Sequence, residues 1–293
     1  MDEHNEQITE IEQLYRQVVE YDRQGDVYNA VKLCKRIARL ATDWSAPFAY
    51  LAGIYKSRQE WKPTYHYSLK AVEHNPFDDA NWENLALAAT ALEEWEIARQ
   101  AWNHLGYNFK NSDEALKLDL GIVPVRLSLH SQPEIIEANR IDPVRAYIQS
   151  IPQPSSGRRY QDLILLDSQS KSSYMINGQK LPVYDELQLL KESNWKTHAV
   201  LLHTQSLQDI DTLAQLCHEA NLGFDNWSNA RRFFRSNLHP KVSEYFDHAA
   251  FGEVERDRFL VAIAAMKTVE IQPVLKDWKV ITLQNFSGLE CLF

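Results

Sequence analysis

Glycine is scarce in this chain, and its scarcity excludes the common phosphate-binding loops. The 293 residues contain nine glycines, and the closest two, Gly106 and Gly121, are 15 positions apart. Neither a P-loop nor a dinucleotide-binding turn fits that spacing, because each needs several glycines within about eight residues. The sequence therefore excludes most nucleotide-binding classes, and no cofactor is expected.

Cysteines are few and long apolar runs are absent. Cys34, Cys217 and Cys291 are odd in number and widely separated, which is typical of reduced core thiols. The longest apolar runs, 85–92 and 259–266, are far shorter than the ~20 residues that cross a bilayer. The first residues are acidic and polar, without the pattern of a secretory signal. We therefore expect a cytoplasmic protein that does not bind membranes.

Basic residues are outnumbered, and the imbalance is local. The chain has 31 Lys and Arg against 40 Asp and Glu, a net charge of −9, which argues against a surface built for nucleic acid or anionic lipid. Residues 1–115 hold 12 basic and 19 acidic side chains, whereas residues 116–293 hold 19 and 21. The acidity of the first segment favours a basic partner surface.

A self-similar pattern with a period of 34 residues extends over residues 11–112, in the windows 11–44, 45–78 and 79–112. Large, small and aromatic residues recur at matching positions, and a turn is expected at 25–26, 60–61 and 94–95. The matching sets are Leu14, Phe48 and Trp82; Tyr21, Tyr55 and Ala89; Ala30, Thr64 and Ala98; Cys34, Ser68 and Trp102; and Ile37, Ala71 and Leu105.

This pattern resembles the tetratricopeptide repeat (TPR), a helix–turn–helix unit of 34 residues. The resemblance covers about a third of the chain and departs from the family pattern at Gln17 and Ala89. It implies a three-repeat TPR helical solenoid over residues 1–120. It also implies a protein or peptide partner, bound in a concave groove that the first helix of each repeat lines.

The resemblance places a set of side chains in that groove. Some members of the family hold a peptide's terminal carboxylate with Lys, Asn and Arg, but only Asn84 fits such a clamp here, so we do not expect that mode. An alternative left open is that a later segment of the same chain fills the groove. The expected partner-binding residues are Tyr15, Val19, Arg23, Lys56, Glu83, Asn84 and Leu87.

Prolines and turn signals predict a small antiparallel β domain over residues 121–192. Five prolines fall within 124–154 and exclude helices from most of that stretch. Strand-like runs occur at 134–141, 144–151 and 161–167. Asn177-Gly178 predicts a second hairpin between 174–176 and 180–184. We expect about five strands, arranged as a partly open barrel or a curled sheet.

The last hundred residues alternate between strand and helix patterns. Strands are expected at 197–204, 223–227, 258–266 and 279–283, and helices at 207–221 and 269–278. This order indicates a ferredoxin-like α/β sandwich over residues 193–293, with an insertion at about 228–256. The expected fold class is therefore a multidomain α plus α+β protein.

No strong catalytic or metal-binding motif is present, so neither an enzyme nor a metal site is expected. Ser168 and Lys171 have a Ser-x-x-Lys spacing, but in a polar turn. His198 and His203 are five residues apart on a strand and so face opposite sides. The acidic and imidazole cluster in an expected loop comprises Asp247, His248, Glu253 and Glu255.

A basic and aromatic stretch is the strongest surface candidate in the second half of the chain. Interleaved basic and aromatic residues can bind single-stranded nucleic acid, but on a helix they form an ordinary amphipathic surface. The possible basic patch comprises Arg231, Arg232, Arg235 and Lys241.

The leading hypothesis is a protein-interaction adaptor that binds a partner in the repeat groove. One alternative is an enzyme or ligand-binding domain in the second half of the chain, with the repeats as its recruiting arm. A second alternative is nucleic-acid binding through residues 231–241, which is less expected because the same stretch also fits an ordinary amphipathic helix.

Overall fold

A computed structural model describes residues 2–127, 133–176, 179–228 and 257–293. The chain divides into two compact units, Met1–Leu116 and Lys117–Phe293. The helical part was expected to extend to residue 120, and the two β regions expected as separate domains lie together in the second unit. Among the described helices, none has the length and apolar content needed to cross a membrane.

The described part of the first unit contains six helices, joined in pairs by short turns. The second helices of the three pairs begin at Val27, Trp61 and Trp95, which are 34 residues apart. The helix boundaries therefore follow the period seen in the sequence. The helices are α1 (Asp2–Arg23), α2 (Val27–Leu40), α3 (Ser45–Ser57), α4 (Trp61–His74), α5 (Asp79–Ala91) and α6 (Trp95–His104).

The same period is found in the backbone of the turns. Gly25, Gln59 and Glu93 all adopt the left-handed conformation, with φ of 75°, 58° and 61°. Their N–H groups donate to carbonyls three residues earlier, at 2.9, 2.9 and 3.2 Å. The N–H of each following residue donates to a carbonyl five residues earlier, at 2.8, 3.0 and 2.9 Å. This pair of bonds is the Schellman motif, and it ends the first helix of every pair in the same way.

Small residues recur where the second helices enter the core. Ala30, Thr64 and Ala98 are fully buried, and a larger side chain at any of them would overpack a closely packed interior. Later in α6, Trp102 Nε1 donates to Thr90 Oγ1 of α5 at 3.1 Å. The residues that recur in the sequence are therefore packing positions between paired helices.

From residue 117 to residue 191 the described residues form six strands, of which five close into a barrel. The hydrogen-bonded order is β1-β2-β3-β4-β6, and β1 also pairs with β6, while β5 pairs with β6 outside the ring. A closed barrel replaces the expected partly open barrel or curled sheet. The strands are β1 (Ile122–Leu127), β2 (Glu134–Arg140), β3 (Arg145–Ile148), β4 (Leu163–Leu166), β5 (Ser172–Ile176) and β6 (Gln179–Lys191).

The strand β1 was not expected, because the first strand predicted from the sequence began at residue 134. Its alternating residues Val125 and Leu127 are fully buried in the barrel interior. The second expected hairpin corresponds to β5 and β6, which pair from Ile176 and Gln179 outward. Its two turn residues, 177–178, lie outside the described residues.

The barrel closes through a short parallel pairing of its first and last strands. Because neighbours in a five-stranded meander alternate in direction, the first and fifth strands run parallel where they meet. The register pairs Val125 with Tyr184 and Arg126 with Asp185. Arg126 Nη2 lies 2.6 Å from Asp185 Oδ1, and the Asp185 side chain is only 6% exposed. A nearly buried ion pair therefore reinforces the closure.

The remaining described residues of the second unit form a four-stranded antiparallel sheet and two α-helices. The strand order in the sheet is β10-β7-β9-β8. Val200, Ile263, Leu213 and Trp278 belong to the core between the sheet and the helices. The elements are β7 (Lys196–His203), α7 (Leu207–Glu219), β8 (Gly223–Asp225), β9 (Phe259–Ala265), α8 (Ile271–Thr282) and β10 (Asn285–Cys291).

The strand expected at 279–283 was wrong. These residues complete α8, which ends where Leu283 adopts a left-handed φ of 59°. Val280 and Ile281 are 73% and 59% exposed, so these apolar residues are not part of a buried strand. The buried residues of α8, which are Ile271, Val274, Leu275 and Trp278, recur at helical spacing. The last strand begins at residue 285.

Two glycine substitutions should shift stability in opposite directions. Gly25→Ala should lower the free energy of unfolding by about 1–2 kcal/mol, because a left-handed conformation is costly for a residue with a Cβ. Gly53→Ala, inside α3, should raise it by about 0.5–1 kcal/mol, because glycine weakens a helix interior. Urea denaturation of the full chain, followed by circular dichroism, measures both.

The two glycines are matched controls for each other, since an added Cβ meets nothing within 4 Å at either position. A steric clash therefore cannot produce the difference. Shifts of the same sign in both variants would contradict the assigned turn conformation.

Breaking the ion pair that closes the barrel should destabilise the chain strongly. Asp185→Asn leaves the Arg126 charge without its partner and should lower the free energy of unfolding by on the order of 3 kcal/mol. Asp257→Asn is the control, because Asp257 pairs with Arg258 at 3.8 Å and both side chains are more than half exposed. The control should lose less than about 1 kcal/mol, and equal losses would show that the closure does not depend on the Arg126 pair.

Candidate functional site

The first helices of the three pairs lie side by side and carry the expected groove residues. Tyr50 Oη on α3 donates to Asp22 Oδ1 on α1 at 2.8 Å. Asn81 Nδ2 on α5 donates to Ser45 Oγ on α3 at 3.4 Å. Side-chain contacts thus link α1 to α3 and α3 to α5. The face that these three helices present is called the groove surface below.

Most of the expected binding residues are accessible on the groove surface, and one is not. Val19 is 37% exposed and Arg23 is exposed, while Tyr15 is half-buried against Trp44 with ring centroids 4.8 Å apart. Lys56, Glu83 and Asn84 are also half-buried. Leu87 is fully buried, so it offers no surface to a partner in this structure.

Gly53 leaves an open position in the middle of α3. The residue is exposed, and a Cβ added to it would meet no atom within 4 Å. Glycine inside a helix weakens it by roughly 0.5–1 kcal/mol relative to alanine. The chain therefore carries a stability cost at a position where a side chain would project into free space.

Tyr50 and Asp22 form a polar link that was not among the expected binding residues. Burial, and then the hydrogen bond to Asp22, raises the pKa of Tyr50 above its ordinary value of 10.0. Burial likewise raises the pKa of Tyr15. Both phenols keep their protons at neutral pH and can donate hydrogen bonds. The position of Tyr50 and Asp22 on first helices of the repeat was the signal that could have identified them.

The two strand histidines of the second unit are not brought together. His198 is buried, its Nε2 lies 2.9 Å from Thr268 Oγ1, and burial lowers its pKa. His203 Nε2 lies 2.7 Å from Ser287 Oγ on the neighbouring strand. These histidines contact different elements, as expected for side chains on opposite faces of one strand.

The other weak chemical motifs form no assembled site among the described residues. Lys171 pairs with Asp167 rather than activating Ser168. Burial raises the pKa of Glu186, a feature of some acid–base sites, but Arg158 is its ion-pair partner. Within the described ranges no group of three His, Cys, Asp or Glu side chains could hold a metal ion.

Two of the expected clusters lie outside the described residues. They are the possible basic patch of Arg231, Arg232, Arg235 and Lys241, and the cluster of Asp247, His248, Glu253 and Glu255.

Comparisons with known proteins assign no family to the chain. No protein-family model and no curated protein matches it. A solved structure of a hypothetical protein from Neisseria gonorrhoeae is 11% identical, and the match covers 60% of this chain and 97% of that one with a TM-score of 0.26. At that identity and TM-score, the likeness carries no argument about fold or function.

The chain should lose stability at alkaline pH because of Tyr50. Its folded-state pKa is raised above 10.0, so the unfolded state loses the proton first and gains stability as the pH rises past that value. The contribution of Tyr50 is therefore complete below pH 10 and is lost above it. The free energy of unfolding, measured by urea denaturation at several pH values above 10, should fall less steeply in Tyr50→Phe. Identical slopes for the two proteins would contradict the Tyr50–Asp22 link.

Proposed function

We propose that the protein is an interaction adaptor whose first unit binds a peptide segment of a partner on the groove surface. The observation that carries this proposal is the open position at Gly53, in the middle of a face built from three repeated helices. A helix interior favours other residues over glycine by up to about 1 kcal/mol. A bound peptide backbone that approaches α3 closely explains why a side chain is missing there.

The chemistry of the groove surface favours a basic peptide with apolar residues. Val19 and the ring of Tyr15 supply apolar contacts, while Asp22 and Glu83 supply carboxylates. Residues 1–115 hold 19 acidic and 12 basic side chains, so the surrounding field attracts cations. Such a field speeds association and selects the sign of the partner more than it adds affinity.

We further propose that the first unit is a three-repeat TPR solenoid and that the second unit contains a ferredoxin-like sandwich. The 34-residue spacing of helices and turns supports the first assignment. The order of elements from β7 to β10, with two helices packed against one sheet, supports the second. A cytoplasmic location fits these proposals and the sparse cysteines.

Substitutions at Gly53 test the groove directly. A random-peptide display library selected on the full chain supplies the probes, and their affinities are measured by fluorescence anisotropy. Gly53→Gln should weaken binding at least about tenfold, equivalent to ~1.4 kcal/mol, because a long side chain fills the open position. Glutamine is a better helix former than glycine, so a loss of binding does not come from a loss of the fold.

Gly53→Ala is the matched control, since it strengthens the helix in the same way but adds only one methyl group. It should bind the selected peptides within about twofold of the wild type. Basic peptides that bind all three proteins equally, or a selection that yields no basic peptide, would refute binding on the groove surface.

A further inference from the structure

One helix of the acidic first unit carries four basic side chains and no acidic one. The helix α2, from Val27 to Leu40, contains Lys32, Lys35, Arg36 and Arg39 and no acidic residue. Its buried residues are Ala30, Cys34 and Ile37, so the cations occupy the remaining faces of the helix. Lys32, Arg36 and Arg39 are exposed. We call these four cations, together with Arg58, the basic stripe.

An aromatic pair supports the basic stripe from beneath. The rings of Tyr55 and Tyr67 stack at 5.6 Å with an interplanar angle of 9°. Lys35 Nζ lies 5.4 Å and Arg58 Cζ 5.9 Å from the centroid of the Tyr55 ring. A hydrogen bond to Tyr55 raises the pKa of Lys35. These contacts hold the two cations in place and lower the entropy that they would lose on binding an anion.

The charges of the basic stripe have no compensation among the described residues. None of Lys32, Lys35, Arg36, Arg39 and Arg58 forms an ion pair with a described carboxylate. Like charges at i, i+4 on a helix destabilise it by about 0.2–0.5 kcal/mol per pair. Acidic residues outnumber basic ones in this unit, yet the stripe carries an uncompensated cost, which binding of an external anion would offset.

We propose that the basic stripe binds an acidic segment of a partner polypeptide. Arg39 lies seven positions after Lys32, so the exposed cations extend over roughly 10 Å of helix. That length matches three or four carboxylates within two helical turns. Arginine binds carboxylates through two parallel hydrogen bonds, and Arg36 and Arg39 are exposed for that contact.

The surroundings of the basic stripe favour a short acidic segment over a nucleic acid or a membrane. Tyr55 is only 8% exposed and has cations close to its ring, so it offers no face on which a base could stack. A long polyanion or an anionic bilayer would extend past the stripe toward the exposed carboxylates Glu12 and Glu20 of α1, the helix packed against α2, and these would repel it. A segment that ends within two turns avoids this repulsion.

The test uses a fluorescent helical peptide with glutamates at i, i+3, i+4 and i+7, titrated with the full chain at about 50 mM salt, where exposed charges are weakly screened. The wild type should bind it, and the triple variant Lys32→Gln, Arg36→Gln and Arg39→Gln should bind at least about tenfold more weakly. Competing titrations use single-stranded RNA and phosphatidylserine vesicles, and both should bind more weakly than the peptide.

The matched control removes three exposed cations of the same unit outside the basic stripe, by Arg16→Gln, Lys62→Gln and Lys110→Gln. It should bind the acidic peptide within about twofold of the wild type. Equal losses in the two triple variants, no binding by the wild type, or tighter binding of RNA or vesicles would overturn the proposal. Gly53→Gln should leave this binding intact, so failure here is separable from failure at the groove surface.

Discussion

The left-handed residue that ends the first helix of each pair is the constraint on which the first unit depends. It recurs at Gly25, Gln59 and Glu93 with the same hydrogen bonds, so every pair turns through the same geometry. Identical turns bring the first helices beside one another and give them a common face. The proposed groove surface lies on those helices, whereas the proposed basic stripe lies mainly on a second helix. Two surfaces of opposite charge preference thus follow from one repeated turn.

The second unit depends on a different constraint, the closure of a barrel with an odd number of strands. Among the described residues two pairs join β1 to β6, and parallel pairing is slightly weaker per residue than antiparallel pairing. The ion pair between Arg126 and Asp185 therefore lies where the ring has least backbone support. This ion pair is better explained as a structural contact that closes the barrel than as part of a catalytic site, because each of its two charges neutralises the other.

The period of the sequence was enough to predict the helical pairs, because spacing fixes which residues face the core. Sequence reasoning failed where apolar residues are exposed. Val280 and Ile281 suggested a buried strand, but they lie exposed on α8. It also missed β1, whose six residues include Pro124 and show no clear strand pattern before they pair with β2 and β6. The Tyr50–Asp22 link joins residues 28 positions apart. Arg58 lies close to Lys35 because both contact the ring of Tyr55. Both contacts depend on tertiary packing, which residue spacing alone does not predict.

The central claim, that a partner peptide lies across α1, α3 and α5, is tested most directly by hydrogen–deuterium exchange of the full chain with and without a display-selected peptide. Slowed amide exchange reports where binding stabilises the backbone. The account predicts protection concentrated in these three helices, and loss of that protection in Gly53→Gln. Protection confined to residues 117–293, or unchanged by Gly53→Gln, would contradict it.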